Sequence, residues 1–296
     1  MKKPKGIYLI LSFITLFFTG CIKDYQLDCP GRVNLTFSYT GDTNDASMFT
    51  KMIDQVTVLV FNSNGEHILT QTIDKQKLSI SRGTELTLDA GTYSVICWAN
   101  AFENTEITGN KSIAEKRIHH PNFPKGTYVP TMDHIYYGQH TIAIADNDKL
   151  TENIPFSGAH INLKVYIDSS IFKNPTKDIP TVEAHNLLPE YDMQMQSTQP
   201  FGTTYYPQTV KNQESGLYEC FFQVLRFDNI NPVKIEIKNK SGESVYKLDL
   251  KTYMAENNIS VNGKNEATVP IFFEYTDLGI SVNVPKWEET IVEPEV

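Results

Sequence analysis

The sequence predicts an all-β protein built from two β-sandwich domains in tandem. Between residues 33 and 284, short runs alternate apolar and polar side chains with a period of two, which is the pattern of half-buried strands. Turns rich in Asn, Asp and Gly separate these runs and favour tight connections between strands. The chain from residue 21 onward has 276 residues, which is enough for two domains of ordinary size.

The first sandwich is predicted for residues 31–150. At its start, apolar side chains alternate with Asn34, Thr36 and Ser38, as expected for a strand with one buried face. The Asn-Ser-Asn-Gly turn at residues 62–65 predicts a hairpin, because Asn and Gly tolerate a positive φ. Strands are predicted at residues 33–39, 55–61, 67–73, 86–88, 93–98, 133–138 and 141–145.

Two stretches interrupt this pattern. Residues 101–131 are rich in Asn, Pro, Gly and charge, and they are expected to form a long loop with one helical turn near residues 112–118. Residues 146–153 are polar, and we interpret them as the boundary between the two domains.

The second sandwich is predicted for residues 151–285, followed by a C-terminal tail at 286–296. Seven or eight strands fit an immunoglobulin-like sandwich, and only residues 252–257 suggest a helix. Strands are predicted at residues 161–167, 182–188, 191–195, 217–225, 233–238, 245–250, 269–275 and 280–284.

Residues 1–20 have the pattern of a signal peptide that is removed on export. Three lysines precede an apolar run at residues 7–18, which is too short for a membrane span of about 20 residues. Cys21 directly after Thr19-Gly20 is the arrangement that bacterial lipoprotein signal peptidases require. We therefore expect cleavage after Gly20 and lipidation of Cys21, the alternative being a secretory signal with a chance cysteine.

Residues 21–30 are expected to form an extended tether between the lipid and the first domain. At about 3.3–3.6 Å per residue, this tether holds the domain roughly 30 Å from the lipid. Loss of the leader changes the formal charge from −9 to −12, so nucleic acid and anionic membrane surfaces are not expected as partners. A disulfide between Cys29 and either Cys97 or Cys220 is one alternative, and buried free thiols at the latter two positions are the other.

No catalytic or metal-binding motif is evident, and neither an enzymatic activity nor a cofactor is expected. The usual hydrolase, metalloprotease, phosphate-binding and Cys-x-x-Cys signatures are missing from the sequence. Adjacent histidines in a strand or loop point apart, so we do not predict a metal site at the densest histidine group. The pair Glu183 and His185 shares a strand face, which alternation alone explains. The densest histidine group, for which no metal site is predicted, comprises His119, His120, His134 and His140.

Aromatic side chains supply an alternative function. The pairs Tyr136-Tyr137 and Tyr205-Tyr206, together with residues 123–128, could stack on sugar rings. A surface glycan-binding lipoprotein of a nutrient-uptake system is therefore the second hypothesis, although strand cores also use Tyr and Phe.

The order of several short motifs resembles the FimB-type fimbrial anchor lipoproteins of the type V pili of Bacteroides-like bacteria. The resemblance covers most of residues 21–287. It rests on the lipidation motif, Cys29-Pro30 before the first strand, the Val56-to-Gly65 strand and turn, Gly91-to-Asn100, and Tyr136-Tyr137-Gly138.

The resemblance implies two transthyretin-like sandwich domains and surface-exposed attachment to the outer membrane. It also implies a non-enzymatic role at the base of a fimbrium, where the protein fixes the fimbrium to the cell and limits its length. The implied partners are the fimbrial shaft subunit, a fimbrillin, and the outer membrane through the lipid on Cys21. No small-molecule substrate is implied.

In such pili, an Arg-specific protease removes an N-terminal strand from each shaft subunit, and a neighbour's strand fills the groove. Arg32 is the candidate cleavage site here, since it is the first arginine and the next is Arg82. Cleavage at Arg32 would shed the lipid, so an anchor is expected to keep that bond, whereas a cleaved chain would be a shaft or tip subunit. The tail with Trp287, Ile291 and Val292 is the expected donor strand, the alternative being a frayed terminus.

Overall fold

The computed structural model describes residues 29–126, 128–172 and 179–291. Three predicted functional positions lie outside these residues: the signal cleavage site at Gly20, the lipidation site at Cys21 and Val292 of the expected donor strand. The predicted all-β class is confirmed, because strands in several sheets make up the described chain.

The described residues from 29 to 158 contribute ten strands. They are β1 (Gly31–Ser38), β2 (Gln55–Asn62), β3 (His67–Asp74), β4 (Gly83–Leu88), β5 (Gly91–Ala99), β6 (Glu106–Thr108), β7 (Arg117–His119), β8 (Tyr136–Ile144), β9 (Lys149–Pro155) and β10 (Ser157–Gly158). A three-stranded sheet in the order β4-β1-β9 faces a five-stranded sheet in the order β10-β8-β5-β2-β3. Inward residues of both sheets, such as Leu35 and Val58, share one hydrophobic core, which makes this half a sandwich.

The part of the second half that the structure describes contributes ten more strands. They are β11 (His160–Ile167), β12 (Thr181–Leu187), β13 (Glu190–Tyr191), β14 (Thr203–Tyr205), β15 (Val210–Lys211), β16 (Tyr218–Leu225), β17 (Lys234–Lys238), β18 (Ser244–Asp249), β19 (Thr268–Thr276) and β20 (Gly279–Asn283). A sheet in the order β15-β16-β11-β19-β20 faces a sheet in the order β14-β12-β17-β18. Leu163 and Ile235 belong to the core between them.

Both sandwiches pair their first strand in parallel with a strand from their end. In the first, Val33 of β1 lies opposite Leu150 of β9. In the second, Leu163 of β11 lies opposite Val269 of β19. Each first strand also has an antiparallel neighbour, β4 for β1 and β16 for β11, so neither is a sheet edge.

Several local predictions differ from the structure. The polar run 146–153 lies largely within β9, where the polar side chains face solvent and Ile154 is buried; by its pairing with β1, β9 belongs to the first sandwich. The strand predicted at 191–195 ends at Tyr191, because the carboxylate of Asp192 accepts hydrogen bonds from the backbone of a turn. No helix forms at residues 112–118, where a turn leads into β7.

Three short α-helices are present in the described residues. The helix expected at residues 252–257 is confirmed as α3 (Leu250–Glu256), whereas α1 (Met48–Met52) and α2 (Lys75–Ser81) were not expected. The Asp74 side chain caps α2 by accepting a hydrogen bond from the backbone N–H of Lys77.

A small third sheet ties the predicted loop at residues 101–131 to the second sandwich. Its order is β13-β7-β6, with Tyr191 opposite Ile118. Trp98 of the first sandwich lies in the same hydrophobic cluster as the core of the second sandwich. The two sandwiches are therefore joined by an apolar contact as well as by this small sheet.

A buried carboxylate forms the polar part of the junction between the sandwiches. Glu266, which precedes β19, accepts hydrogen bonds from the hydroxyls of Tyr39 and Tyr136. Burial raises the pKa of the Glu266 carboxyl. The Asp42 side chain accepts hydrogen bonds from the backbone N–H groups of Asn265 and Glu266, at 2.6 and 3.0 Å. Each of these hydrogen bonds joins a residue of the first sandwich to a residue of the second, so together they hold the two sandwiches in contact.

Candidate functional site

The N-terminal end of β1 receives the predicted tether. Cys29 is exposed, and its carbonyl accepts a hydrogen bond from Asn147 N at 3.0 Å. Arg32 also lies at this end, in a polar depression of about 540 Å³ whose lining includes Glu85 and Asp148. The tether would thus leave the first sandwich at the beginning of a central strand.

Arg32, the candidate cleavage site, is held in that strand from both sides. It lies opposite Thr87 of β4 and Lys149 of β9, and its N–H donates to the carbonyl of Asp148 at 2.8 Å. Cleavage after Arg32 would leave residues 33–38 of β1 in place, so no groove would open between β4 and β9.

We expect the folded protein to resist an Arg-specific protease at Arg32. Proteolysis needs local opening, and opening here breaks pairing with two strands. The measurement is limited proteolysis of the purified protein, with mass spectrometry of the fragments. Exposed Arg82, at the end of α2 with a left-handed backbone, serves as the internal comparison. Faster cleavage after Arg32 than at Arg82 would identify the chain as a processed subunit.

The C-terminal end of the described chain packs on the outer face of the second sandwich. A 3-10 segment, Lys286–Ile291, follows β20. The Trp287 ring lies 5.5 Å from the rings of both Tyr166 and Phe272. The buried carboxylate of Glu288 accepts hydrogen bonds from Lys164 Nζ at 2.9 Å and the Tyr166 hydroxyl at 2.7 Å. Trp287 of the expected donor strand is thus docked on its own domain, and a free donor would have to start after Glu288.

The tether end and this C-terminal segment lie on opposite sides of the domain junction. Arg32 is the second residue of β1, and Tyr39 at the junction follows it by seven residues, or about 23 Å of extended strand. On the other side, β19 runs from next to Glu266 towards Phe272, on which Trp287 packs. A chain held by its N-terminal lipid would therefore present its C-terminal segment on the far sandwich.

The three cysteines in the described residues are free. Cys97 and Cys220 are fully buried in the two separate cores, so neither can reach exposed Cys29. Burial raises the pKa of the Cys220 thiol to about 12 and raises that of Cys97 as well. Of the two alternatives from the sequence, the structure contains the buried free thiols.

The histidine group singled out in the sequence does not form one cluster in the described residues. His119 contacts Thr108, with 2.9 Å between Nε2 and Oγ1, and His140 pairs with Glu152 on the first sandwich at 2.9 Å. His134 instead packs against His160, with ring centroids 4.9 Å apart, and burial lowers the pKa of His160 to about 3. These side chains serve local packing and hydrogen bonding.

A different set brings metal-ligand types together, and sequence reasoning missed one member of it. Glu183 and His185 of β12 share a strand face as expected, and β17 places Glu236 beside them. The proximity of Glu236 to His185 can be seen only from the pairing of β12 with β17, because 51 residues separate the two in the sequence.

Most of the tyrosines proposed for sugar stacking are buried. Tyr136, Tyr137 and Tyr205 belong to the core, each less than 10% exposed. The exposed Tyr128 stacks on Tyr206, with ring centroids 5.4 Å apart, so each ring already uses one face. The structure thus offers little support for the glycan-binding alternative.

Within the described part of the chain, no helix has both the length and the apolar character needed to cross a membrane.

The sequence matches a family model described as Mfa2, fimbrillin-A associated anchor proteins Mfa1 and Mfa2, over residues 25–293. This match confirms the predicted resemblance to fimbrial anchor proteins. None of the curated proteins matches the sequence.

Solved structures of similar fold cover nearly the whole chain. The fimbrial anchor protein Mfa2 from Porphyromonas gingivalis has 15% identity and a TM-score of 0.62, with 86% of this chain and 98% of that chain covered. A candidate polysaccharide-binding protein from Bacteroides thetaiotaomicron has 15% identity and a TM-score of 0.68, with coverage of 88% and 99%. A candidate adhesin from Bacteroides ovatus has 16% identity and a TM-score of 0.66, with coverage of 88% and 94%. At these identities the likeness shows the fold alone.

Proposed function

Because the chain belongs to the family of fimbrillin-A associated anchor proteins Mfa1 and Mfa2, we propose that it fixes a fimbrium to the bacterial outer membrane. In this proposal, lipid on Cys21 holds the N-terminal end at the membrane, and the protein is exposed at the cell surface. Its role is structural, and we assign no residue a catalytic function.

The observation that carries this proposal is the placement of the two ends of the described chain. β1 begins at Gly31 in the first sandwich, whereas Trp287 packs on the sandwich beyond the junction. An anchor has to be attached to the membrane and to a protein subunit at the same time. It can do so if its N-terminal and C-terminal segments lie on opposite sides of the domain junction. The contacts across the junction would transmit force from one end to the other.

We further propose that the tail binds the first fimbrial subunit by strand addition and so sets where the fimbrium ends. Strand addition satisfies the unpaired backbone groups of an open sheet edge together with its apolar groove. Residues 289–296 contain the apolar pair Ile291 and Val292 among acidic residues. They follow Glu288, which is held by Lys164 and Tyr166, so the tail would start from a fixed point.

Truncation after Glu288 should detach fimbriae from the cell while the lipoprotein stays at the surface. Truncation at this point keeps Trp287 and Glu288, so the contacts of both side chains with the second sandwich remain. The readouts are fimbrillin in the cell and medium fractions, and surface labelling of the anchor. A full-length Ile291→Asp, Val292→Asp variant tests the same apolar contact without shortening the chain. Cell-bound fimbriae in both variants would reject the tail as the docking element.

A further inference from the structure

A charged cluster lies on the outer face of the second sandwich, on the sheet opposite the one on which Trp287 packs. The inward residues of β12 and β17, such as Ala184 and Ile235, are fully buried, so the alternate residues face outward. Glu183 and Glu236 lie directly opposite each other in this antiparallel pair. Two like charges in that arrangement destabilise a sheet unless neighbouring cations offset them.

His185 completes a set of three ligand types. Its Nε2 atom lies 3.0 Å from Oε2 of Glu236 and 3.5 Å from Oε2 of Glu183. One atom from each residue lies within 4.8 Å of the others. Tetrahedral zinc with bond lengths of about 2.0–2.2 Å places its ligand atoms about 3.4 Å apart, so the two distances from Nε2 already match.

The surrounding residues hold the other atom of each side chain. Oε1 of Glu183 lies 2.7 Å from Lys238 Nζ, and Oε1 of Glu236 lies 3.3 Å from Lys247 Nζ. Nδ1 of His185 lies 3.2 Å from Oγ1 of Thr204. The side chains of Glu183, His185 and Glu236 are thus each held by a further hydrogen-bonding partner, as in protein metal sites. Both Oε2 atoms remain close to Nε2 of His185.

The Glu236 side chain is only 8% exposed, so its carboxylate is largely withdrawn from solvent. Interactions between its charge and a bound cation are therefore screened less than on an open surface.

We propose that Glu183, His185 and Glu236 bind a zinc ion. One imidazole with two carboxylates suits zinc better than calcium or magnesium, which prefer oxygen ligands alone. Water completes the fourth position, because Glu183 and His185 are partly open to solvent, at 15% and 28%. The ion ties β12 to β17 and stiffens the sandwich that carries the C-terminal segment. The two lysines offset the charge of the carboxylates and keep the affinity below that of a lysine-free site.

The test is a zinc titration of the full mature protein after chelator treatment, followed by isothermal titration calorimetry and thermal unfolding. We expect one zinc ion per chain and a higher unfolding temperature with zinc. His185→Gln should abolish both effects. His140→Gln is the matched control, because it also removes a histidine paired with a glutamate but on the first sandwich, and it should bind zinc as the parent does.

A second variant separates a metal site from a network of ion pairs. Lys247→Met removes a positive charge near Glu236, from a side chain that is 64% exposed, so it should raise zinc affinity several-fold. This variant keeps all three ligands, so the test stands even if His185→Gln fails to fold. Absence of zinc binding in both the parent and Lys247→Met would overturn the proposal and leave an ion-pair network. Equal loss of binding in His185→Gln and His140→Gln would also overturn it.

Discussion

Replacement of Cys21 by Ala is expected to remove the protein from the outer-membrane fraction and to release fimbriae into the medium. Without the thiol there is no acceptor for the diacylglyceryl group, and the signal peptidase loses its lipidated substrate. Each buried CH₂ of an acyl chain contributes about 0.8 kcal/mol to membrane binding, and stable attachment requires two or more chains. The measurement is fractionation of cells with immunoblots for the anchor and for fimbrillin, and the expected loss is nearly complete.

Cys29→Ala is the matched control for this experiment. Cys29 lies eight residues further on and is exposed and free, and only its backbone carbonyl has a described hydrogen bond, from Asn147. This variant should retain both the lipoprotein and its fimbriae. If Cys21→Ala also remained in the outer membrane with fimbriae attached, lipid on this cysteine could not be the anchor.

Gly158→Ala should destabilise the protein strongly at the junction of the two sandwiches. A Cβ at this position would lie 1.9 Å from the backbone oxygen of Asn265. That oxygen belongs to main chain that is also held by Asp42, so it cannot move aside as a flexible side chain would. Overpacking of this kind costs about 1–3 kcal/mol and occasionally more, and we expect the upper end of that range. Denaturant unfolding at equilibrium measures the change.

Gly202→Ala supplies the control, because a Cβ there meets no atom within 4 Å and the backbone φ is ordinary. We expect its free energy of unfolding to change by less than about 0.5 kcal/mol. Equal midpoints for Gly158→Ala and the parent would mean that Asn265 does not pack on this glycine. The junction described here would then be incorrect.

The candidate sites show how far sequence patterns reach. Alternation alone placed Glu183 and His185 on one face, but Glu236 joins them only through the pairing of β12 with β17. Similarly, an apolar and acidic tail could be recognised from its residues, whereas the docking of Trp287 on Tyr166 and Phe272 could not. These contacts join residues that are far apart in the sequence, and a local sequence pattern contains no information on which distant residues come together in the fold.

The polar run at 146–153 shows the same limit for the fold. Its composition suggests a linker, yet β9 forms there because β1 offers an unpaired edge for it along seven residues. A strand with a solvent-facing polar side and few apolar residues depends on its neighbour more than on its own propensity.

The sequence by itself determined the all-β class, the positions of most strands and the membership of the anchor family, since these follow from local alternation, turn residues and motif order. It also contains the signal from which lipidation of Cys21 is predicted. Only the tertiary structure decided which strands are neighbours, where the two sandwiches meet around Glu266, and which side chains from distant strands lie together. The physical reason is that periodicity specifies which face of a strand is buried, whereas pairing depends on the fit between surfaces that only folding brings into contact.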